Sequence, residues 1–455
     1  MSNSRSKNAL LNIVFGYAAQ MGILILSFVG RRIFLRFLSI DYLGINGLYS
    51  NILTVLSLAE LGLDTAVLYS LYKPVADNDI PLINSLLKYF KKIYTVLAVG
   101  IFAVGLALIP FLKFIVKSSL NDNSLIIFYL LFLVNTVASY FVAHKVAFLS
   151  ACQEQRIQKL VMLSSNLILQ VLHIIVLLIW KNYYVYVSAT VVTTIINNLI
   201  LNAICNKIHP HLKDKTEPVS FEKEPIRNRI YSTFVYKIGG VAINNTDNIL
   251  ISKFQGLASV GLYSNYVYIV DVIRTFLSYI FYSMTASIGN YNATESKEAN
   301  EKMFYNLFFA SFWLYGFTGI CLGVLLNPFI SLWIGKDYLL PNWTVFIIIA
   351  NYYTAGVQYA STTYREVTGL FKIGKYRPLI AAVINLVISI ILAYPLGISG
   401  ILLGTIISRL CVYFWYDPYI IHKTLFARSV SKYFKTYVIY AAVSICTGML
   451  SVYSS

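Results

Sequence analysis

The stretch GKYRPLIAAVINLVISIILAYPLGISGILLGTIISR, residues 374–409, decides the fold class. Lys375 and Arg377 open it, and from Pro378 no further charge appears until Arg409. A membrane-spanning helix needs about 20 predominantly apolar residues. Residues 378–395 and 400–416 each come near that length and are separated by a very short connection. They read as two spans folded into a tight helical hairpin. The pair 160–180 and 184–206 repeats the pattern.

Working outward, apolar runs of span length recur at 9–29, 43–71, 93–111, 124–149, 230–252, 259–288, 303–327, 343–367 and 436–453. The order is six spans, a polar stretch at 207–229 (KIHPHLKDKTEPVSFEKEPIRNR), six spans and one more. Composition agrees. The 455 residues are 58% hydrophobic and 12% charged, whereas a soluble protein carries about 25% charge. The expected fold is an all-α polytopic membrane protein. The N-terminal run is too long for a signal-peptide core and lacks a small-residue cleavage site before Arg31, so it reads as a retained first span.

The net charge of +17 would suggest nucleic acid in a soluble chain, but no aromatic-plus-basic recognition module accompanies it. Lys88, Lys91, Lys92, Lys213, Lys223, Arg227, Lys372, Lys375, Arg377 and Lys432 all fall on one side of the alternating spans. Basic loops lie on the cytoplasmic side, which places the N-terminus inside. No nucleic-acid partner is expected. Cys152, Cys205, Cys321, Cys411 and Cys446 show no metal or redox spacing, and the chain carries no P-loop, metal-ligand cluster or nucleophile–base pair on a substantial loop. No cofactor, no metal and no enzymatic activity are expected.

The sequence also repeats itself. GLYSN stands at 47–51 and again at 261–265, and Asn166 and Asn385 each follow a basic residue, Arg156 and Lys375, at one spacing. The two offsets nearly coincide. This implies two six-helix halves in parallel orientation, an arrangement that favours alternating-access transporters. The domains expected are 1–206, a basic cytoplasmic linker 207–229, a second bundle 230–417, and 418–455 with one extra helix.

FLSIDYLGINGLYSNI (37–52), LAELGLDTAV (58–67), NNTDNILISKFQGLASVGLYSNY (244–266) and residues 374–409 resemble the polysaccharide-repeat-unit (Wzx-type) flippases of the multidrug/oligosaccharidyl-lipid/polysaccharide exporter superfamily. The resemblance implies two pseudo-symmetric six-helix bundles in a V around a central cavity. It implies that polyprenyl-diphosphate-linked oligosaccharide moves from the inner to the outer leaflet of a bacterial cytoplasmic membrane for surface polysaccharide such as O-antigen or capsule. Membrane lipids, a polysaccharide polymerase and glycosyltransferases of the same pathway are the implied partners. It also implies two helices after the twelve-span core. Only 436–453 is seen, so a truncated C-terminus and a shorter family member are both open.

A charge at the bilayer centre costs about 2.5–3.5 kcal/mol on insertion scales, so charges inside spans mark candidate sites. Asp271 and Arg274, at i and i+3, can pair on one helix face; they form either a structural ion pair or a phosphate contact oriented by Asp271. Lys237 and Arg409, about two turns from the inner surface, are further candidates for the substrate cavity. Arg31 and Arg32, with Arg36, either draw diphosphate or snorkel to lipid phosphates. Glu60 and Asp64, at i and i+4, place two carboxylates on one face. They need a cation, a proton or a basic neighbour such as Arg31 or Arg32. Asn244, Asn245, Thr246, Asp247 and Asn248 offer either cation ligands or interhelical hydrogen bonds. The ion-coupling candidates are therefore Glu60, Asp64, Asn244, Asp247 and Asn248. Lys145, Arg365 and Glu366 read as snorkelling residues, and the many Tyr and Phe partly as interfacial belts. Two rival functions stand: a cation-coupled multidrug antiporter of the same superfamily, and a membrane glycosyltransferase or polymerase. The longest loop, 207–229, is too small for a catalytic domain.

Overall fold

The computed structural model describes residues 2–60, 63–213, 219–370, 373, 374 and 376–454; side chains at 2–19, 59, 213, 232, 235–244, 286 and 452–454 lie outside that description. The chain divides into two compact units, Met1–Phe114 with Ser119–Lys237, and Ile115–Ser118 with Ile238–Ser455.

The first unit contains α1 (Ser2–Phe37), α2 (Ile40–Leu56), α3 (Leu63–Ala76), α4 (Ile80–Ala107), most of the short α5 (Leu112–Ile115), α6 (Asp122–Ala151), α7 (Gln155–Ile179) and α8 (Tyr183–Ile208). The unit boundary falls inside α9 (Glu224–Gln255). The second unit continues with α10 (Leu257–Thr294), α11 (Lys297–Trp333), α12 (Asn342–Val357), α13 (Tyr359–Val367), α14 (Arg377–Ile421) and α15 (Ser431–Ser454).

Short polar residues start these helices by capping free backbone N–H groups. Asp79 accepts from the Leu82 N–H at 3.0 Å, Asn121 from Asn123 at 2.9 Å, Asn182 from Tyr184 at 2.8 Å and Ser296 from Ala299 at 3.2 Å. Among the described residues, eight helices are long and apolar enough to cross a membrane. Large apolar side chains such as Val99, Ile168, Leu199, Phe317 and Leu332 are exposed on them, as lipid-facing residues are. This is a multi-pass membrane protein.

Both expected hairpins form. Between α7 and α8 the chain turns through Lys181 in a left-handed conformation, and Ser165 reaches Asn197 at 3.0 Å across the pair. Within α14 the helix breaks at Gly397, whose φ of 57° and ψ of −131° suit glycine alone among common residues. The two arms then pack so closely that a Cβ on Gly404 would run into the side chain and backbone of Ser389. Ser389 donates to the Ile401 carbonyl at 2.9 Å and Asn385 to Thr405 at 2.8 Å, which ties the arms together.

Two expected spans are not single helices. The run 43–71 divides into α2, a 3-10 turn at Ser57–Glu60 and α3. The Ser57 N–H turns back to the Leu53 and Val55 carbonyls, which tightens the last turn of α2. The run 343–367 divides at Gln358 into α12 and α13. Polar residues stand at both breaks: Glu60 closes the first, and Gln358 leads from the apolar α12 into the much more polar α13.

Two further readings are corrected. Arg365 does not snorkel: it is buried and pairs with Asp417 at 3.1 Å. Lys145 turns inward, donating to Asn202 at 2.6 Å and Asn206 at 2.5 Å on α8. Several tyrosines are internal struts rather than interfacial belts. Tyr49, Tyr129 and Tyr364 are fully buried and donate to the carbonyls of Leu125, Gly105 and Asn300, each at 3.0 Å. Burying a phenol is tolerable when its hydroxyl finds an acceptor.

Candidate substrate and ion sites

In the first unit, α3, α6, α7 and α8 surround a cavity of about 540 Å³. Glu60 and Asp64 stand on its wall, together with Ser139, Ser165, Asn166, Thr193, Thr194 and Asn197. Tyr140 donates to Glu60 at 2.6 Å, and Tyr94 to Asp64 at 2.6 Å. Each carboxylate thus accepts a hydrogen bond from a tyrosine hydroxyl. The expectation that the two share one α-helical face is not met. Glu60 closes the 3-10 turn, and Asp64 lies in the first turn of α3. They converge on one cavity all the same.

Arg31 and Arg32 lie near the end of α1, Arg31 half-buried and Arg32 exposed. A smaller cavity of about 200 Å³ in the same unit is lined by Asn46, Ser50, Asn135, His173, Tyr186 and Thr190 among others. His173 stacks on Tyr186 with ring centroids 3.8 Å apart and lies 3.1 Å from the Thr190 hydroxyl.

The second unit holds a connected polar cluster. Thr405 lies 3.2 and 3.3 Å from the two carboxylate oxygens of Asp247. Asn385 donates to Thr405, and Thr246 donates to Asn385 at 3.3 Å. The buried side-chain oxygen of Asn248 has no hydrogen-bond partner among the described residues. The side chains of Asn244 and Lys237 lie outside those described. Arg409 donates to the Asn351 carbonyl at 3.0 Å, to the Asn351 side chain at 3.2 Å and to Thr354 at 2.8 Å, which anchors it to α12.

Asp271 and Arg274 form the expected i,i+3 pair at 3.1 Å. Their side chains are 51% and 46% exposed, so the rest of their own bundle does not cover them. Both lie near the midpoint of the 38-residue α10. Thr275 and Ser278 continue this polar stripe, their hydroxyls donating to the carbonyls of Asp271 and Thr275. A charge at the bilayer centre costs about 2.5–3.5 kcal/mol on insertion scales, which keeps this half-open pair a candidate for contact with a polar ligand.

Sequence reasoning missed Tyr94, Tyr140, Thr405, Asn351 and Thr354. Of the other partners found here, Asn166 and Asn385 had a signal through the internal repeat, and Thr246 through the polar run 244–248.

Residues 9–288 match the family described as polysaccharide biosynthesis protein. The chain belongs to this family. None of the curated proteins matches the sequence. Among solved structures, an inward-facing multidrug resistance transporter of the MATE family in the MOP superfamily aligns with a TM-score of 0.66 at 13% identity, covering 86% of this chain and 93% of that one. A MOP superfamily transporter from Pyrococcus furiosus, noted for the reverse polarity of its binding pocket, aligns at 0.59 and 12% identity over 92% and 95%. The lipid II flippase MurJ, in an inward closed conformation, aligns at 0.58 and 15% identity over 94% and 96%. Identities this low establish the shared fold. This member of the polysaccharide biosynthesis family therefore has the fold of these MOP-superfamily transporters.

Proposed function

We propose that this protein is a transporter that flips polyprenyl-diphosphate-linked oligosaccharide from the inner to the outer leaflet of a bacterial cytoplasmic membrane by alternating access, with its N-terminus inside. The observation that carries the reading is the half-exposed Asp271–Arg274 pair at mid-helix in a polysaccharide biosynthesis family member. A diphosphate head cannot cross hydrocarbon unaided, while its polyprenyl tail can stay in lipid. A guanidinium presents a planar fork of donors to phosphate oxygens, and Arg274 is free enough to do so while Asp271 orients it. Arg409 adds a second guanidinium in the same unit, and Lys237, Arg31 and Arg32 are further candidates for the head-group path. The fold is shared with a lipid II flippase, which supports a lipid-linked substrate. The pathway's polymerase and glycosyltransferases are the proposed partners.

Coupling belongs, in this reading, to the Asp247 cluster. Asp247, Thr246, Asn248, Asn385 and Thr405 bring oxygen atoms from α9 and both arms of α14 together. Hard cations take oxygen ligands, and a proton on Asp247 is the alternative occupant. A multidrug antiporter remains the second reading, because the first unit's cavity carries two carboxylates and cationic drugs favour such a site.

Proteoliposomes containing the purified protein and lipid-linked oligosaccharide extracted from the host test the assignment. Exposure of the sugar on the far leaflet is expected to rise with protein content. Efflux of a cationic dye without sugar-lipid movement would establish the antiporter instead.

A further inference from the structure

Resting on that reading, we propose that the first unit's cavity is a seat for the sugar end of the substrate and selects for sugar. Its volume of about 540 Å³ falls within the ~300–1,000 Å³ of ligand pockets. Hydroxyls and amides from Ser139, Asn166, Thr193, Thr194 and Asn197 share the wall with apolar groups, the mixture that suits a ring with polar edges and C–H faces.

The charge pattern excludes the other end of the substrate. Glu60 and Asp64 line this cavity, and among its described lining residues none is basic. A diphosphate would meet two carboxylates and no cation. Sugar hydroxyls are donors, and a carboxylate is the strongest acceptor a side chain offers them. Tyr140 donates to Glu60 and Tyr94 to Asp64, which fixes the direction of each carboxylate.

The internal repeat carries the same division. Glu60 stands as far after Gly47 as Arg274 stands after Gly261. At corresponding positions one half of the chain bears a carboxylate and the other a guanidinium.

The test measures binding of two probes to the purified full-length protein: lipid-linked oligosaccharide extracted from the host, and bare undecaprenyl diphosphate. The wild type is expected to bind the sugar-bearing lipid more tightly. Asn166→Ala with Thr194→Val removes hydrogen-bonding groups and should cut that preference about tenfold, with bare undecaprenyl diphosphate binding as before. Ala143→Phe fills the same cavity without removing a polar group and should do likewise. Equal affinity of the wild type for both probes, or a preference that survives all these changes, overturns the inference while leaving the flippase reading standing. So does an equal loss for bare undecaprenyl diphosphate, which would put the diphosphate in this cavity. Failure of the wild type to bind either lipid takes down both readings.

Discussion

The Asp417 carboxylate lies 3.1 Å from the Arg365 guanidinium, with both side chains almost wholly withdrawn from the surface. Arg377 pairs with the same carboxylate. Arg365 also donates to the Leu370 carbonyl at 3.0 Å and to Ile373 at 2.7 Å, so it ties down the connection that leads into α14. Removing one member of a buried ion pair costs about 3–5 kcal/mol, because the remaining charge is left uncompensated. Asp417→Asn leaves two guanidiniums facing one another, and a large drop in the thermal midpoint of the detergent-solubilised protein is expected. An Asp417→Asn protein as heat-stable as the wild type would show that the cluster contributes nothing to folding.

That cluster illustrates what the sequence conceals. Most of the long apolar helices and both hairpins were legible because lipid imposes a length on apolar runs, and short connections permit only antiparallel neighbours. The Asp271–Arg274 pair was legible because its partners lie on one helix turn. Arg365 and Asp417 are far apart in the chain, and Arg365 sits at a helix end where snorkelling is the ordinary reading. Tyr94 and Tyr140 were lost among 36 tyrosines, since nothing in a sequence says which phenol lies behind which carboxylate. The breaks at Ser57–Glu60 and Gln358 escaped notice because the polar residues there, Glu60, Arg365 and Glu366, were read as site charges or snorkelling groups rather than as helix ends.

Arg274 should be indispensable to movement of the head group but not to folding. Its side chain is 46% exposed and its ion-pair partner Asp271 is 51% exposed, so its removal leaves no sealed charge behind. Arg274→Gln is expected to reach the membrane at wild-type levels and to lose sugar-lipid flipping. Arg274→Lys keeps the charge without the planar fork and should retain partial activity. Normal polysaccharide export from cells carrying only Arg274→Gln would remove this residue from the substrate path.

Gly404 should tolerate no side chain. The facing Ser389 backbone is the obstacle, and backbone cannot turn aside as a flexible side chain does. Gly404→Leu is expected to push the arms of α14 apart, breaking the Asn385–Thr405 bond and with it the setting of Asp247. The readouts are yield and monodispersity on size-exclusion chromatography. Wild-type behaviour of this variant would mean the arms have room that the packing denies.

Asp247 should carry the energy coupling. With Asp247→Asn the cluster keeps its shape and loses its charge, so neither a metal cation nor a titrating proton is retained there. Flipping driven by an imposed sodium or proton gradient is expected to collapse to the rate seen without a gradient. The gradient-free rate itself should persist, since Arg274 and Arg409 are untouched. Full gradient dependence in Asp247→Asn vesicles would move coupling elsewhere.

Orientation can be read from two loops whose helices are already placed. Lys336 lies between α11 and α12, and Lys297 begins α11. An inside N-terminus puts the first outside and the second inside, because α11 crosses once between them. The basic residues follow the same rule: cytoplasmic loops collect Lys and Arg. In a background with the five native cysteines replaced, Lys336→Cys should react with a membrane-impermeant maleimide in intact cells. Lys297→Cys should react only after the membrane is opened. The reverse pattern would invert the topology, and inner-to-outer flipping would then have to enter each unit from its opposite end.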